Sequence, residues 1–365
     1  MKSLGNFPDP FIAEIAGQPD ALRRAAVGIQ DQAPALDEVL RRAAGRTLVF
    51  TGMGSSYDAC YPAIAQLAQA GIAAIHVDAA ELLHFRGRIL GAHVVLVAVS
   101  QSGESAEVVR LVEQARTGAA EGPMVVTVTN GTENRVASVA DLAFDTRAGD
   151  ETGPSTMTFA ASLVALSALG GTLAARSTSA TVEGLPASAE LVALSIERFL
   201  ADPDLPDRLA RWLGDRPTLV ILGRGPARAA AEMGALTIKE AVGIPVESLQ
   251  TGQFRHGPLE LAGPELAAIV IATEPETAEL DLALGRELAE TGAGTLTITA
   301  SGDLEGAPPS HRAGHIERLD IGPLDRTLAP AASIVPAQLL AWRLSILRGR
   351  SPGAYYRAAK VTTRE

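Results

Sequence analysis

The chain has 365 residues, 47% of them hydrophobic and 20% charged, with a formal net charge of −11 and one cysteine. That length suffices for two domains of ordinary size, and the acidic balance without any basic run argues against nucleic acid or an anionic membrane as a partner. A lone Cys60 allows no intrachain disulfide and fits a reducing, cytoplasmic setting; residues 1–10 have no apolar core and do not read as a secretory signal.

In chain order, the periodicity predicts helices over residues 21–29 and 36–44, expected to pack on a first sheet. Short β-branched runs at 47–51, 94–99 and 125–129 then read as buried parallel strands. Residues 152–175 carry no formal charge and are long enough to span a bilayer. Pro154, the many Ser, Thr and Gly residues and the close flanking charges favour a helix buried inside an α/β protein instead. Residues 176–205 read as a linker with a helix over 189–200. Strands follow at 218–222, 267–272 and 295–299, then a helix over 335–347 and a tail over 348–365 containing Tyr355, Tyr356 and Lys360.

Strands alternating with helices mean crossover connections and a parallel sheet. The last three strands repeat the first three at a nearly constant offset. Gly52 corresponds to Gly223, Ser100 to Thr273 and Asn130 to Ser301, which are offsets of 171, 173 and 171. The expected architecture is therefore α/β and tandem: a helical segment over 1–45, one domain over 46–175, the linker over 176–205, a second domain over 206–347, and the tail. Each domain is a doubly wound, flavodoxin-like parallel sheet flanked by helices.

The most informative segment is Val97–Glu107. An apolar run stops at Ser100-Gln101-Ser102-Gly103, and a helical pattern follows. The first N–H groups of a helix lack intrahelical partners and the helix dipole favours negative charge there. Gly103 allows close backbone approach, and Ser100, Ser102 and Ser105 add hydroxyls, so a phosphate fits. The structural alternative is an ordinary strand-to-helix turn with serine caps. Thr51-Gly52-Met53-Gly54-Ser55-Ser56 supplies a second strand end of similar kind.

This pair of loops resembles the sugar isomerase (SIS) domain family, in which both loops hold a sugar phosphate. Further segments in the same order resemble the isomerase half of glucosamine-6-phosphate synthase. They are Glu14-Ile15-Ala16-Gly17-Gln18-Pro19, Gly149-Asp150-Glu151-Thr152-Gly153-Pro154-Ser155-Thr156, Glu232-Met233-Gly234-Ala235-Leu236-Thr237-Ile238-Lys239-Glu240, His256-Gly257-Pro258-Leu259 and Ala358-Ala359-Lys360-Val361-Thr362. The resemblance implies tandem SIS domains with Ser56, Ser100, Gln101, Ser102 and Ser105 at phosphate-binding positions, supported by Gly54 and Gly103, and Ser155 in the loop that touches the sugar. It implies Glu240 as the base between C1 and C2, and His256 as the ring-opening residue, reaching in from a neighbouring subunit. Lys360 becomes the tail lysine that contacts the open-chain sugar and can form an imine with its carbonyl. A homodimer with a shared active site follows from the same resemblance.

The residue types suit that chemistry. An aldose–ketose shift needs one base to move a proton between adjacent carbons, ring opening needs a group that shuttles protons near neutrality, and a lysine can polarise a carbonyl or condense with it. A helix-surface acid, a turn histidine and a solvated tail charge are the plain alternatives. Three departures from the synthase stand out. No glutaminase segment is expected on this chain, Thr237 stands where the synthase has a second lysine, and Met157 replaces another. They point to a stand-alone relative acting on a hexose 6-phosphate such as glucosamine 6-phosphate or fructose 6-phosphate. The candidate reactions are aminosugar-phosphate deamination with isomerisation, simple ketose–aldose isomerisation, and deglycation of glycated amino-acid phosphates. A non-catalytic sugar-phosphate sensor or regulatory subunit is the alternative. No cofactor or metal is expected. His311 and His315 have i, i+4 spacing, but Gly314 and Pro308-Pro309 make that region a loop, and Gly52-Met53-Gly54 lacks the rest of a dinucleotide fingerprint.

Overall fold

The computed structural model describes residues 9–117, 122–301 and 316–364. They form two compact units, one within Asp20–Glu151, Ser155–Glu190 and Arg357–Glu365, the other within Met1–Pro19, Thr152–Pro154 and Leu191–Tyr356.

The first unit contains strands β1 (Thr47–Thr51), β2 (Ala74–His76), β3 (Val94–Val99), β4 (Met124–Thr129) and β5 (Leu142–Asp145). All pair in parallel, in the order β2-β1-β3-β4-β5. β3 and β4 are buried along their whole length. Continuous apolar or β-branched runs are what a strand covered on both faces requires. The edge strands β2 and β5 are three and four residues long and half-exposed. They carry no continuous apolar run, which is why the sequence did not announce them. The open side of β5 is partly closed by Gln32, whose side chain accepts from the Asp145 N–H and donates to the Asp145 carbonyl, both at 2.9 Å. The amide thereby mimics a neighbouring strand.

The helix Met157–Ala175 settles the long uncharged stretch. Met157 through Leu173 are all buried. A Cβ at Gly170 would sit 3.3 Å from the Ala63 backbone, so the helix packs closely on Tyr61–Gln69. This helix and Ala329–Leu347 are the two stretches among the described residues long and apolar enough to cross a membrane. Both are mostly enclosed by the protein, as core helices are.

The second unit repeats the plan with β6 (Thr218–Gly223), β7 (Glu247–Gln250), β8 (Leu266–Ala272), β9 (Gly294–Thr299) and β10 (Ile316–Asp320). The order is β7-β6-β8-β9-β10, again all parallel. Read from its first strand, each sheet runs 2-1-3-4-5, which is the flavodoxin-like order. The tandem α/β architecture read from the spacing is the observed one.

Packing corrects two expectations. The N-terminal segment does not all lie on the first sheet. The helix Pro10–Ala16 belongs to the second unit and contacts Val335–Leu347. There the Trp342 indole donates to Asp9 at 2.6 Å, and Gln18 and Gln338 form a buried amide pair at 2.8 Å. The region read as a linker is mostly helical, with Thr178–Val182 in the first unit and Leu185–Leu200 continuing into the second.

Candidate active site

In the first sheet β1 lies between β2 and β3, so the chain leaves β1 toward one side and returns to the other. Loops at such a switch point part and leave a crevice beyond the strand ends. The loops after β1 and β3 are the two serine-glycine segments singled out above.

Each glycine there has a steric reason. A Cβ at Gly52 would lie 2.9 Å from the Val99 carbonyl oxygen and 3.0 Å from the Ser56 backbone, which locks the two loops together. Gly54 has φ +51° and opens the short helix Ser55–Asp58. Gly103 has φ +64°, and a Cβ would fall 1.9 Å from Asn134 Oδ1. Left-handed backbone with no room for a side chain is the glycine condition.

The polar side chains stitch the crevice. Ser56, buried, accepts from the Gln101 N–H at 3.3 Å. Ser100, also buried, accepts from the Gly103 N–H at 3.2 Å and donates to Ser105 at 3.3 Å. Ser102 accepts from the Glu104 N–H at 3.1 Å. The turn delivers the chain to the helix Ala106–Thr117, whose N-terminus faces the loop as a source of positive potential. The structure thus brings Gly54, Ser56, Ser100, Gln101, Ser102, Gly103 and Ser105 together as one hydroxyl- and amide-lined cradle. Ser155 joins them, since the Ser55 hydroxyl donates to it at 3.0 Å.

Lys360 completes the set within the same unit. The end of the chain is docked rather than frayed: the Thr362 carbonyl accepts from the Ala106 N–H at 3.0 Å, at the first residue of the cradle helix. Two residues earlier, Lys360 Nζ donates to Glu151 Oε2 at 2.6 Å. The Glu151 side chain is fully buried and that of Lys360 only 18% exposed. Glu151 also accepts from the Thr156 N–H (2.8 Å), the Thr158 N–H (3.1 Å), the Thr156 hydroxyl (3.0 Å) and the Thr158 hydroxyl (2.5 Å). The carboxylate therefore satisfies N–H groups at the start of Met157–Ala175, where negative charge is favoured. Residue-by-residue reading passed over Glu151 in its loop. An acid just before a Ser-Thr-x-Thr helix start was the available signal.

Glu240 and His256 belong to the second unit. Glu240 is half-buried near the end of Arg228–Val242, and Thr237, one turn earlier, is fully buried. Its hydroxyl has no hydrogen-bond partner among the described residues. Arg228–Val242 stops at Gly243, which is left-handed at φ +73°. His256 is exposed, its N–H donating to the Gln253 carbonyl at 2.9 Å, and Gly257 at φ +116° follows. His311 and His315 lie outside the described residues; among the described residues no group of three or more His, Cys, Asp or Glu side chains is placed to hold a metal.

The second sheet does not repeat the cradle. Where the first has Ser100-Gln101-Ser102-Gly103, the second has Thr273-Glu274-Pro275-Glu276. Glu274 is buried and paired with Arg326 at 2.6 Å; Asp281, buried, is paired with Arg224 at 2.7 Å. Burial pushes both carboxyls above their ordinary values, although the guanidinium beside each pulls back. These arginines are already neutralised, and a phosphate at this position would meet carboxylates. Of the two strand ends, the first is lined by serine hydroxyls and the second by carboxylates paired with arginines.

Comparison with known proteins agrees with this fold. Residues 42–170 and 213–348 match the SIS domain. The isomerizing glutamine–fructose-6-phosphate aminotransferase of Pyrococcus horikoshii is 30% identical over 370 residues, covering 100% of this chain and 59% of that protein. This chain thus spans less than two thirds of the length of the curated relatives it matches. The C-terminal domain of glucosamine-fructose-6-phosphate aminotransferase from Francisella tularensis has a TM-score of 0.83 at 21% identity, covering 95% of this chain and 98% of that one. Glucosamine-6-phosphate deaminase from Thermotoga maritima gives 0.70 at 20%, covering 96% and 99%. These two likenesses are of fold. With two matched segments, each containing one of the two sheets, the chain belongs to the SIS domain family.

Proposed function

We propose that this protein binds a phosphorylated sugar in the first-sheet cradle and acts on it as an aldose–ketose isomerase of the aminosugar-phosphate deaminase type. The observation that carries the reading is the convergence of Ser56, Ser100–Ser105 and a helix N-terminus at one switch point, with a lysine held in the same unit. Hydroxyls and backbone amides would fix the phosphate end of a hexose 6-phosphate and leave its carbonyl end to the catalytic groups.

Glu240 is the proposed base, taking a proton from one of C1 and C2 and returning it to the other. With an aminosugar, the enol amine formed at C2 becomes an imine, and addition of water releases ammonia and leaves the ketose. His256 would move the ring-opening proton between O5 and O1, acting in a homodimer from the neighbouring copy. These roles rest on the residue-by-residue resemblance. The cytoplasm is the compartment we assign, from the single buried Cys60, the acidic charge and the metabolite substrate.

The test is ammonia and ketose formation from glucosamine 6-phosphate by the purified protein, with Glu240→Ala as control. Product from the wild type and none from the variant supports the reaction and the base together. A buried threonine at 237 and a core methionine at 157, in place of two family lysines, favour a second reading as a non-catalytic sugar-phosphate sensor. Calorimetric binding of sugar phosphates with no turnover would select it.

A further inference from the structure

The first unit has a second concavity, at the end of its sheet away from the cradle. A cleft of about 370 Å³ opens where β1 begins, beside the C-terminal ends of the helices Ala33–Ala43 and Met157–Ala175 and the turn that follows Tyr61–Gln69. The five residues of β1, about 17 Å of strand, separate it from the serine loops. Its volume falls in the range of sites that hold a small organic molecule. Leu40, Leu48, Ile72 and Leu173 supply an aliphatic lining, and Arg46 and Arg176 the charge. Leu48 and Leu173 are buried, Arg46 is half-buried and Arg176 exposed, so the apolar surface forms the floor and the guanidiniums the rim.

We propose that this cleft binds an amphipathic monoanion, a carboxylate with a short aliphatic chain, whose chain covers the leucine and isoleucine floor and whose carboxylate lies between Arg46 and Arg176. The proposal is independent of the sugar-phosphate reading. Among the described residues no carboxylate lines the cleft, and neither guanidinium has a hydrogen-bond or ion-pair partner. Arginines of the adjoining helix differ: Arg41 pairs with Glu38 and Arg42 with Asp141. Arg176 also holds left-handed backbone, φ +53°, at a helix cap where glycine is the usual residue. Among the described residues the other non-glycine in that region is Arg147, which pairs with Asp31 at 2.7 Å and whose N–H donates to Asp145. No such pairing holds the Arg176 side chain, and backbone strain of this kind gathers at ligand clamps. Helix C-termini favour cations, but each carries about half a negative charge, so two of them offset only about one of the two positive charges. A bare phosphate would leave the aliphatic floor wet, and a neutral hydrocarbon would leave both guanidiniums unpaired.

The test is calorimetric titration of the full-length protein with octanoate, with octanol as the neutral control and inorganic phosphate as the anion without a chain. Octanoate should bind at one site per chain. Arg46→Gln and Arg176→Gly should each weaken it about tenfold, the factor one charge-assisted hydrogen bond supplies. Octanol should be weaker than octanoate by at least the same factor. Glycine at 176 suits the left-handed backbone better than arginine does, so that variant should unfold at or above the wild-type Tm, and its lost affinity is then not a loss of fold. Phosphate should leave the octanoate isotherm unchanged, because the floor contributes nothing to its binding. No saturable binding of octanoate overturns the proposal. So does octanol binding as tightly as octanoate, phosphate displacing octanoate, or either arginine variant binding octanoate as tightly as wild type.

Discussion

Gly103 is where the cradle is most tightly specified, and replacing it tests the geometry quantitatively. A Cβ would lie 1.9 Å from Oδ1, 2.1 Å from Cγ and 2.7 Å from Cβ of Asn134. A rotamer change cannot relieve the last of these, so Asn134 must leave. It caps the helix Arg135–Ser138 through the Ala137 N–H at 2.9 Å and donates to the Gly131 carbonyl at 2.9 Å. Gly103→Ala should cost about 1 kcal/mol for left-handed alanine, about 1 for the cap and about 1 for the second hydrogen bond, or about 3 in all. Asn134→Gly alone should cost about 1 kcal/mol, because glycine is a tolerable cap and only the Gly131 bond is fully lost. The double variant should cost about 2 rather than the additive 4, a coupling of about 2 kcal/mol. Urea unfolding of the four proteins reads these values. Calorimetric titration with glucosamine 6-phosphate should show affinity lost in Gly103→Ala and partly regained in the double variant. Additive costs, or a Gly103→Ala protein that binds as well as wild type, would refute the claim that Asn134 shapes the cradle.

Three further outcomes follow from charge and pairing. Burial tends to raise the Asp141 carboxyl, but the Val125 N–H, Arg42 and Arg116 hold it below its ordinary value. Its stabilisation is therefore present above the unfolded-state value of 3.8 and fades as pH falls through the native one. Asp141→Asn should lose about 2 kcal/mol at pH 7 by urea unfolding, with the gap closing toward acid pH. Glu274 has the opposite sign: its native value lies above the unfolded one, so its contribution declines as pH rises between the two. Removing its counter-ion by Arg326→Met should destabilise by about 3 kcal/mol at pH 8 and less at pH 5, where the carboxyl can protonate. Finally, inactive His256→Ala and Glu240→Ala chains, mixed with subunit exchange demonstrated, should recover part of the wild-type activity through hybrid dimers. No recovery would remove the shared site.

The architecture was legible because parallel strands covered on both faces must be apolar along their length. β1 and β3 were read with their observed limits, and β4, β6, β8 and β9 to within a residue at one end. The four edge strands were invisible for the same reason: a half-exposed strand such as Ala74–His76 or Glu247–Gln250 needs no apolar run, and its existence depends on a neighbour's free edge. The cradle residues were legible because small hydroxyls and glycines after a buried strand are a local pattern. What only the tertiary structure decided is the environment of each charge. Glu274 and Asp281 pair with Arg326 and Arg224 at the second sheet, so its strand ends do not repeat the serine-lined loops of the first. Glu151, silent in its loop, takes the lysine of a tail more than two hundred residues away. The helix Pro10–Ala16 packs on a helix from the far end of the chain. Local periodicity is fixed by which face a residue must bury. Pairings across such separations are fixed by which buried charges and surfaces find partners after the chain has folded.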